Sequence, residues 1–231
     1  MFRTHGGARR GAGRKPNGER ALVSHAPRAV LSGREPVLVT MPVLVTMKVL
    51  VTMKVQRHVW NLRARRAFER VLPALAAATD RGLHLVHYSV QRDHLHMIVE
   101  PRDRVDLSRA VQGLAVRIAR TLNRMMQRSG KVFADRYHDH VLGSPRQVRN
   151  ALLYVLNNAR KHRALAPRTR LDPCSSASAF DGWDGARHDR DELARAQPPP
   201  VVAPRTWLLA RGWQRAGGLL DPMHRPGTID A

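Results

Sequence analysis

A single cysteine, Cys174, occurs in 231 residues. One thiol cannot close an internal disulfide, and it excludes the cysteine-rich zinc modules that need several thiolates. Aromatic residues are scarce as well, at 5% of the sequence with three tyrosines among them, so each tyrosine has to be placed individually. No apolar run approaches the ~20 residues of a bilayer-spanning helix, and the first residues lack the apolar stretch of a secretory signal. These absences lead to the expectation of a cytoplasmic protein with no membrane partner. Acidic residues are the other shortage: 18 Asp and Glu stand against 40 Lys and Arg, a formal net charge of +22. That balance predicts attraction to a polyanion and is silent about fold. Only Lys15, Lys48, Lys54, Lys131 and Lys161 are lysines. Arginine, whose planar fork matches phosphate oxygens, therefore supplies nearly all the positive charge.

Residues 1–36 are rich in Gly, Arg and Pro and read as a disordered basic arm. Arg9, Arg10, Arg14 and Lys15 are its candidate DNA contacts, in a Gly-Arg-rich context that fits either a minor-groove arm or an uncommitted tail. A tandem repeat follows over residues 37–54, as VLVTMP, VLVTMK and VLVTMK. Six residues are too few for a solenoid module, and all three copies read as the same strand. The last copy, running directly into Val55, is expected to form the first strand. The spare copies leave apolar, β-prone segments without an assigned partner. The main domain is expected over residues 49–165. Residues 166–231 are a Pro- and Arg-rich extension with one short helix near Trp207 and Trp213.

Residues 61–80 read as a helix with Phe68, Val71, Leu72 and Leu75 on one side. A hairpin is expected next, with strands over 83–90 and 94–99 and a polar turn at Gln91-Arg92-Asp93. Asp106 is expected to cap a long helix ending near Gly130, in which Leu107, Val111, Leu114, Ile118, Leu122 and Met125 recur at helical spacing. Its outer face carries Arg117, Arg120, Arg124 and Arg128, either a solvated face or a DNA contact. Residues 132–142 suggest another strand. Ser144 and Gln147 form a capping box around Pro145 that opens a further helix. This order predicts an α+β fold, an antiparallel sheet covered by helices.

Two constellations carry chemistry. In His94-Leu95-His96 the side chains alternate along a strand, so both imidazoles face one way and Leu95 faces the core. Two imidazoles on one strand face can ligate a divalent metal. They can equally be a structural pair, and His84, His87, His138 and His140 compete with them. On the helix after Ser144, Val148, Leu152, Val155, Leu156 and Ala159 fall within a ~100° arc. Asn150, Tyr154, Asn157, Asn158 and Lys161 fall opposite. Tyr154 is thus expected in a polar stripe, with Asn158 one turn further along. Tyr88 and Tyr137 are better explained by sheet packing.

With His84-Leu85-Val86-His87-Tyr88-Ser89-Val90, Asp93-His94-Leu95-His96, Val132-Phe133, Arg136-Tyr137-His138 and Tyr154-Val155-Leu156-Asn157-Asn158-Ala159-Arg160-Lys161-His162 in place, the chain resembles the single-tyrosine HUH transposases. More closely it resembles the REP-associated tyrosine transposases of bacteria, best over residues 50–165. The resemblance implies a ferredoxin-like antiparallel sheet with both histidines on its open face. It also implies Mg²⁺ or Mn²⁺ held by His94, His96 and Asn158, with Asn157 as the rival ligand. Tyr154 is implied as the nucleophile that forms a 5′-phosphotyrosine on single-stranded, hairpin-bearing DNA, with no nucleotide cofactor. Arg117, Arg120, Arg124, Lys161 and the arm are the expected DNA grips, and a homodimer is left open. A catalytically silent module that binds DNA or RNA hairpins by charge and shape is the alternative.

Overall fold

A computed structural model describes residues 47–227. Arg9, Arg10, Arg14, Lys15 and the first repeat copy lie outside the described residues. The elements in order are β1 (Val49–Lys54), α1 (Arg65–Thr79), β2 (Leu85–Val90), β3 (His94–Val99), α2 (Arg104–Met125), β4 (His138–Val141), α3 (Pro145–Lys161), α4 (Arg187–Ala196) and α5 (Trp207–Ala210). The sheet runs β2-β3-β1-β4 and every pair is antiparallel. Up to β4 this is a β-α-β-β-α-β chain with the ferredoxin-like strand order.

The repeat sequence explains why β1 can occupy the middle of the sheet. Its third copy alternates Val49, Val51 and Met53 into one core with Leu50 into the other. A strand covered on both faces can carry that much apolar surface. The hairpin β2–β3 places Tyr88 opposite Met97 and Ser89 opposite His96. The segment 132–142, expected as one strand, is divided. Phe133 makes an isolated bridge to Val55, and the regular ladder is confined to β4.

Helix α2 begins one turn earlier than its apolar pattern suggests. Asp103 is the cap, accepting from the Asp106 amide at 2.7 Å, and Asp106 lies in the first turn with Arg102 against its carboxylate. The helix also stops short of Gly130, because Gln127 takes a left-handed φ of 49°. Helix α3 opens on the expected capping box of Ser144 and Gln147, with Pro145 in the first turn.

Two apolar layers sandwich the sheet. On one face α1 and α2 close over Val51, Leu95, Met97 and Val99 with Phe68, Leu75, Leu114 and Ile118. On the other face α3 packs over Leu50, Val86 and Ile98, and residues beyond 166 share this layer: Phe180, Trp183, Leu209, Trp213 and Leu220. The extension is also fastened by polar contacts. The Arg63 guanidinium donates twice to Asp172 at 2.9 and 2.7 Å. Glu100, buried at 1% exposure, accepts from the Thr206 amide at 3.0 Å and from its hydroxyl at 2.5 Å. The extension holds α4 as well as the expected short helix. No residue of α4 is buried, so no apolar stripe announces it. Among the described residues no helix is long and apolar enough to cross a membrane.

Candidate active site

The alternation along β3 sends Leu95, Met97 and Val99 to the first core, leaving His94 and His96 on the face that carries α3. Their ring centroids are 4.5 Å apart. Helix α3 packs on the same strands, and Tyr154 brings its ring centroid within 4.8 Å of His96, the planes inclined by 69°. The next turns bring two more groups. Lys161 places Nζ 5.2 Å from the Tyr154 ring centroid, and His162, at the C-terminal cap of α3, lies 5.8 Å from His94 ring to ring. Tyr154, Asn158 and His162 follow one another at intervals of four residues, so one helical ridge lines the histidine strand.

The polar stripe expected on α3 is buried at its adjacent amides. Asn157 and Asn158 are 3% and 0% exposed. The chain near residues 221–224 covers Asn157, whose Nδ2 donates to the carbonyls of Asp221 at 3.1 Å and His224 at 2.9 Å. Asn158 differs, since both of its amide atoms are buried with no hydrogen-bond partner. The two adjacent asparagines are thus in different employment, one holding the backbone and one with its amide unused.

His96 is 2% exposed, and its Nε2 is also buried without a partner. Burial pushes its pKa down to about 3, helped by the charges of His94, His162 and Lys161, so the ring is neutral. Burial likewise lowers His162, with His94 and Lys161 adding to the effect. Both strand histidines are held at Nδ1. For His94 the partner is the Asp93 carboxylate at 2.7 Å, and for His96 the Thr52 hydroxyl at 2.9 Å. Burial works to raise the Asp93 carboxyl, but the hydrogen bond and charge of His94, together with Lys54, outweigh it and hold the carboxyl below its usual range.

Among the described residues no three His, Cys, Asp or Glu side chains stand together in position to hold a metal. The residues expected as ligands are two imidazoles and one amide, His94, His96 and Asn158. Buried imidazole nitrogen and amide oxygen atoms with no partner are the kind of atoms a divalent cation would satisfy; hard Mg²⁺ prefers oxygen, so two imidazoles fit Mn²⁺ at least as well. Beside His94 opens a cleft of about 600 Å³, lined among others by Asn61, Arg63, Arg92, Asp93 and His162.

Of the other expected contacts, Lys161 belongs to this site. Arg117, Arg120 and Arg124 do not: with Arg70 they line a groove of about 380 Å³ between α1 and α2, in the layer on the opposite face of the sheet. Tyr88 is fully buried in the first core and its hydroxyl has no partner, with burial raising its pKa. Tyr137 packs against the same core. Sequence reasoning missed Thr52, Asp93, His162 and Arg63. Alternation along the repeat already places Thr52 on the face opposite Val51. His162 lies four residues after Asn158, a spacing that puts it on the same ridge.

An antiparallel ferredoxin-like sheet bearing paired histidines opposite a helical tyrosine, in a strongly basic chain, defines a candidate site for work on nucleic-acid phosphates. The family described as "Transposase IS200 like" matches residues 43–158, and the chain belongs to that family. Among solved structures, the chain is similar to one described as a REP-associated tyrosine transposase bound to a REP hairpin. That likeness has 16% identity and a TM-score of 0.45, over 69% of this chain and 86% of the other. No curated protein matches the sequence.

Proposed function

We propose that this transposase is a metal-dependent single-strand DNA endonuclease and strand transferase that works through Tyr154 and forms a 5′-phosphotyrosine at hairpin-bearing DNA. The observation that carries the reading is the placement of the Tyr154 ring 4.8 Å from His96, whose Nε2 is buried without a partner, as is the amide of Asn158 one turn along the same helix. Membership in the IS200-like transposases supplies the reaction class.

His94, His96 and Asn158 would hold the cation; Asn157, the rival, has its Nδ2 tied to the carbonyls of residues 221 and 224, whereas both Asn158 amide atoms are buried without a partner. A bound Mg²⁺ or Mn²⁺ would supply charge neutralisation at the scissile phosphate. Tyr154 Oη attacks phosphorus, an Oη–P bond forms, and the bond from phosphorus to the 3′ oxygen breaks. The phenolic proton passes to solvent, and the 3′ oxygen leaves as a hydroxyl. The phosphotyrosine keeps a phosphodiester's bond energy, so the reverse attack by a 3′-hydroxyl rejoins strands without a nucleotide cofactor. Lys161 beside the tyrosine ring adds positive charge where the phosphate arrives. The cleft lined by Asn61, Arg92 and His162 offers the strand a polar and cationic path past His94, with Arg63 at its wall paired to Asp172.

The test is a denaturing gel of the protein with end-labelled, hairpin-bearing single-stranded DNA and Mn²⁺, run beside Tyr154→Phe. A labelled band at the protein's mass in the parent chain, lost in the variant, is the expected result. An adduct that persists in the variant places the nucleophile elsewhere. Tight binding without an adduct across a panel of hairpins favours the catalytically silent module.

A further inference from the structure

We propose that Thr52 is the positioning residue for His96: its hydroxyl accepts the imidazole Nδ1–H and leaves the Nε2 lone pair as the ring's one unused atom, directed to the site. This rests on the reading of His96 as a metal ligand.

Thr52 stands directly opposite His96 in the β1–β3 register, on the face that carries α3, with Oγ1 2.9 Å from Nδ1. The hydroxyl can either accept from Nδ1–H or donate to a bare Nδ1. In the second arrangement Nε2 carries the proton, and a buried N–H with no acceptor faces the site. In the first, Nε2 is a lone pair, the form a divalent cation requires. The neighbouring histidine points to the first. His94 Nδ1 lies 2.7 Å from the Asp93 carboxylate, which can only accept, so that ring holds its proton at Nδ1. Two adjacent rings gripped at the same nitrogen by oxygen atoms present the same nitrogen, Nε2, to a shared ligand. Partners of this kind hold ligating histidines in one tautomer and one orientation.

A threonine suits the place for a mechanical reason as well. Its β-branch restricts χ1 and favours the strand, so the hydroxyl is fixed before any ligand arrives. Thr40 and Thr46 hold the same position in the two preceding copies of the repeat. The hydroxyl is therefore a property of the repeat unit and not of one accidental residue.

The experiment uses the full chain with ¹⁵N-labelled histidine at neutral pH, free of metal and DNA, and compares Thr52, Thr52→Val and Thr52→Ser. Valine keeps the shape and the strand preference while deleting the hydroxyl. The ring-nitrogen shifts of His96 should report Nδ1–H with bare Nε2 in the parent chain and in Thr52→Ser, and a mixed or reversed tautomer in Thr52→Val. Mn²⁺ binding, followed by loss of its free EPR signal, should weaken about 10-fold in Thr52→Val and recover in Thr52→Ser. A parent ring protonated at Nε2, or a Thr52→Val chain with the parent tautomer, overturns the proposal. A chain with the expected tautomers that binds no Mn²⁺ sustains the Thr52 contact and overturns the metal reading instead.

Discussion

On the α1–α2 side, the sheet presents Val49, Val51, Met53, Leu95, Met97 and Val99 to a layer of helical leucines, valines and alanines. On the α3 side, the same strands present Leu50, Val86 and Ile98 at one end, and Thr52, His94 and His96 at the other. One rule, alternation along a strand, produces both faces. The first face is apolar except for the buried Tyr88 hydroxyl, and has mainly packing to lose. The second is apolar where the extension covers it with Trp213 and Phe180, and polar where α3 brings up Tyr154 and Asn158. At that polar end, His96 Nε2 and both Asn158 amide atoms are buried without partners, each at a cost of roughly 1–3 kcal/mol. A fold keeps such atoms only where the surrounding packing is strong enough to offset them; the Tyr88 hydroxyl is one more on the first face, but there it stands among apolar side chains, whereas His96 lies against His94 and Tyr154.

The comparison is tested most severely by asking whether the second apolar layer matters as much as the first. Trp213→Ala should cost about 3–5 kcal/mol and Leu114→Ala about 2–5 kcal/mol, read from urea unfolding of the full chain. Loss of under ~1 kcal/mol for Trp213 would mean that the extension merely rests on the sheet. The polar fastening should be nearly as costly to break. Arg63 and Asp172 form a buried bidentate pair with side chains 11% and 0% exposed. Asp172→Ala strands the guanidinium and should destabilise by about 3 kcal/mol. Replacing both partners by apolar residues of similar size should recover most of that, whereas a double variant as weak as the single would deny the pairing its role.

Most of the first face was legible in the sequence because its signals are local. The 3.6-residue spacing of Leu107 to Leu122 and the alternation of β1 and β3 each lie within one element, as does the Ser144 capping box that opens α3 on the second face. The relation of Tyr154 to the histidine pair followed from the same local patterns together with the family resemblance. What was hidden depends on segments far away in the chain. That Asn157 is buried was not legible from its polar stripe, because the backbone that covers it comes from residues 221–224. The grip of Thr52 on His96 requires the β1–β3 register, which neither strand specifies alone. Helix α2 ends early through a left-handed Gln127, a conformation that glycine would have announced and glutamine does not. Helix α4, with no buried residue, offered no stripe to read.

Acid should find the second face before the first, because the buried titratable histidines are there. His87 lies 6% exposed against Phe180 and Ser176, and burial lowers its pKa to about 3. In the unfolded chain a histidine binds its proton near ~6.5. Between these values the unfolded state holds the extra proton, so stability falls on acidification through that window and is fully present above it. His96 acts in the same sense. Each ring should contribute a slope of up to ~1.4 kcal/mol per pH unit. Urea midpoints between pH 7 and pH 4 should therefore flatten by about one such increment in His87→Gln. An unchanged slope would assign the acid sensitivity elsewhere.

The smallest effect on stability, and the sharpest separation of the two faces, is expected from the arginine groove. Arg117, Arg120 and Arg124 lie on α2, with the whole sheet between them and Tyr154. Replacing each by alanine should change stability by no more than ~0.5 kcal/mol, as for other surface positions. If the groove grips phosphates, the triple variant should bind hairpin DNA more weakly. The slope of log affinity against log salt should then become shallower by about one unit for each contact removed, because fewer counterions are released. His96→Ala should do the reverse, abolishing adduct formation while leaving the salt slope as it was. A triple variant with an unaltered slope would make the groove a solvated helix face and leave DNA contact to the face that bears the tyrosine.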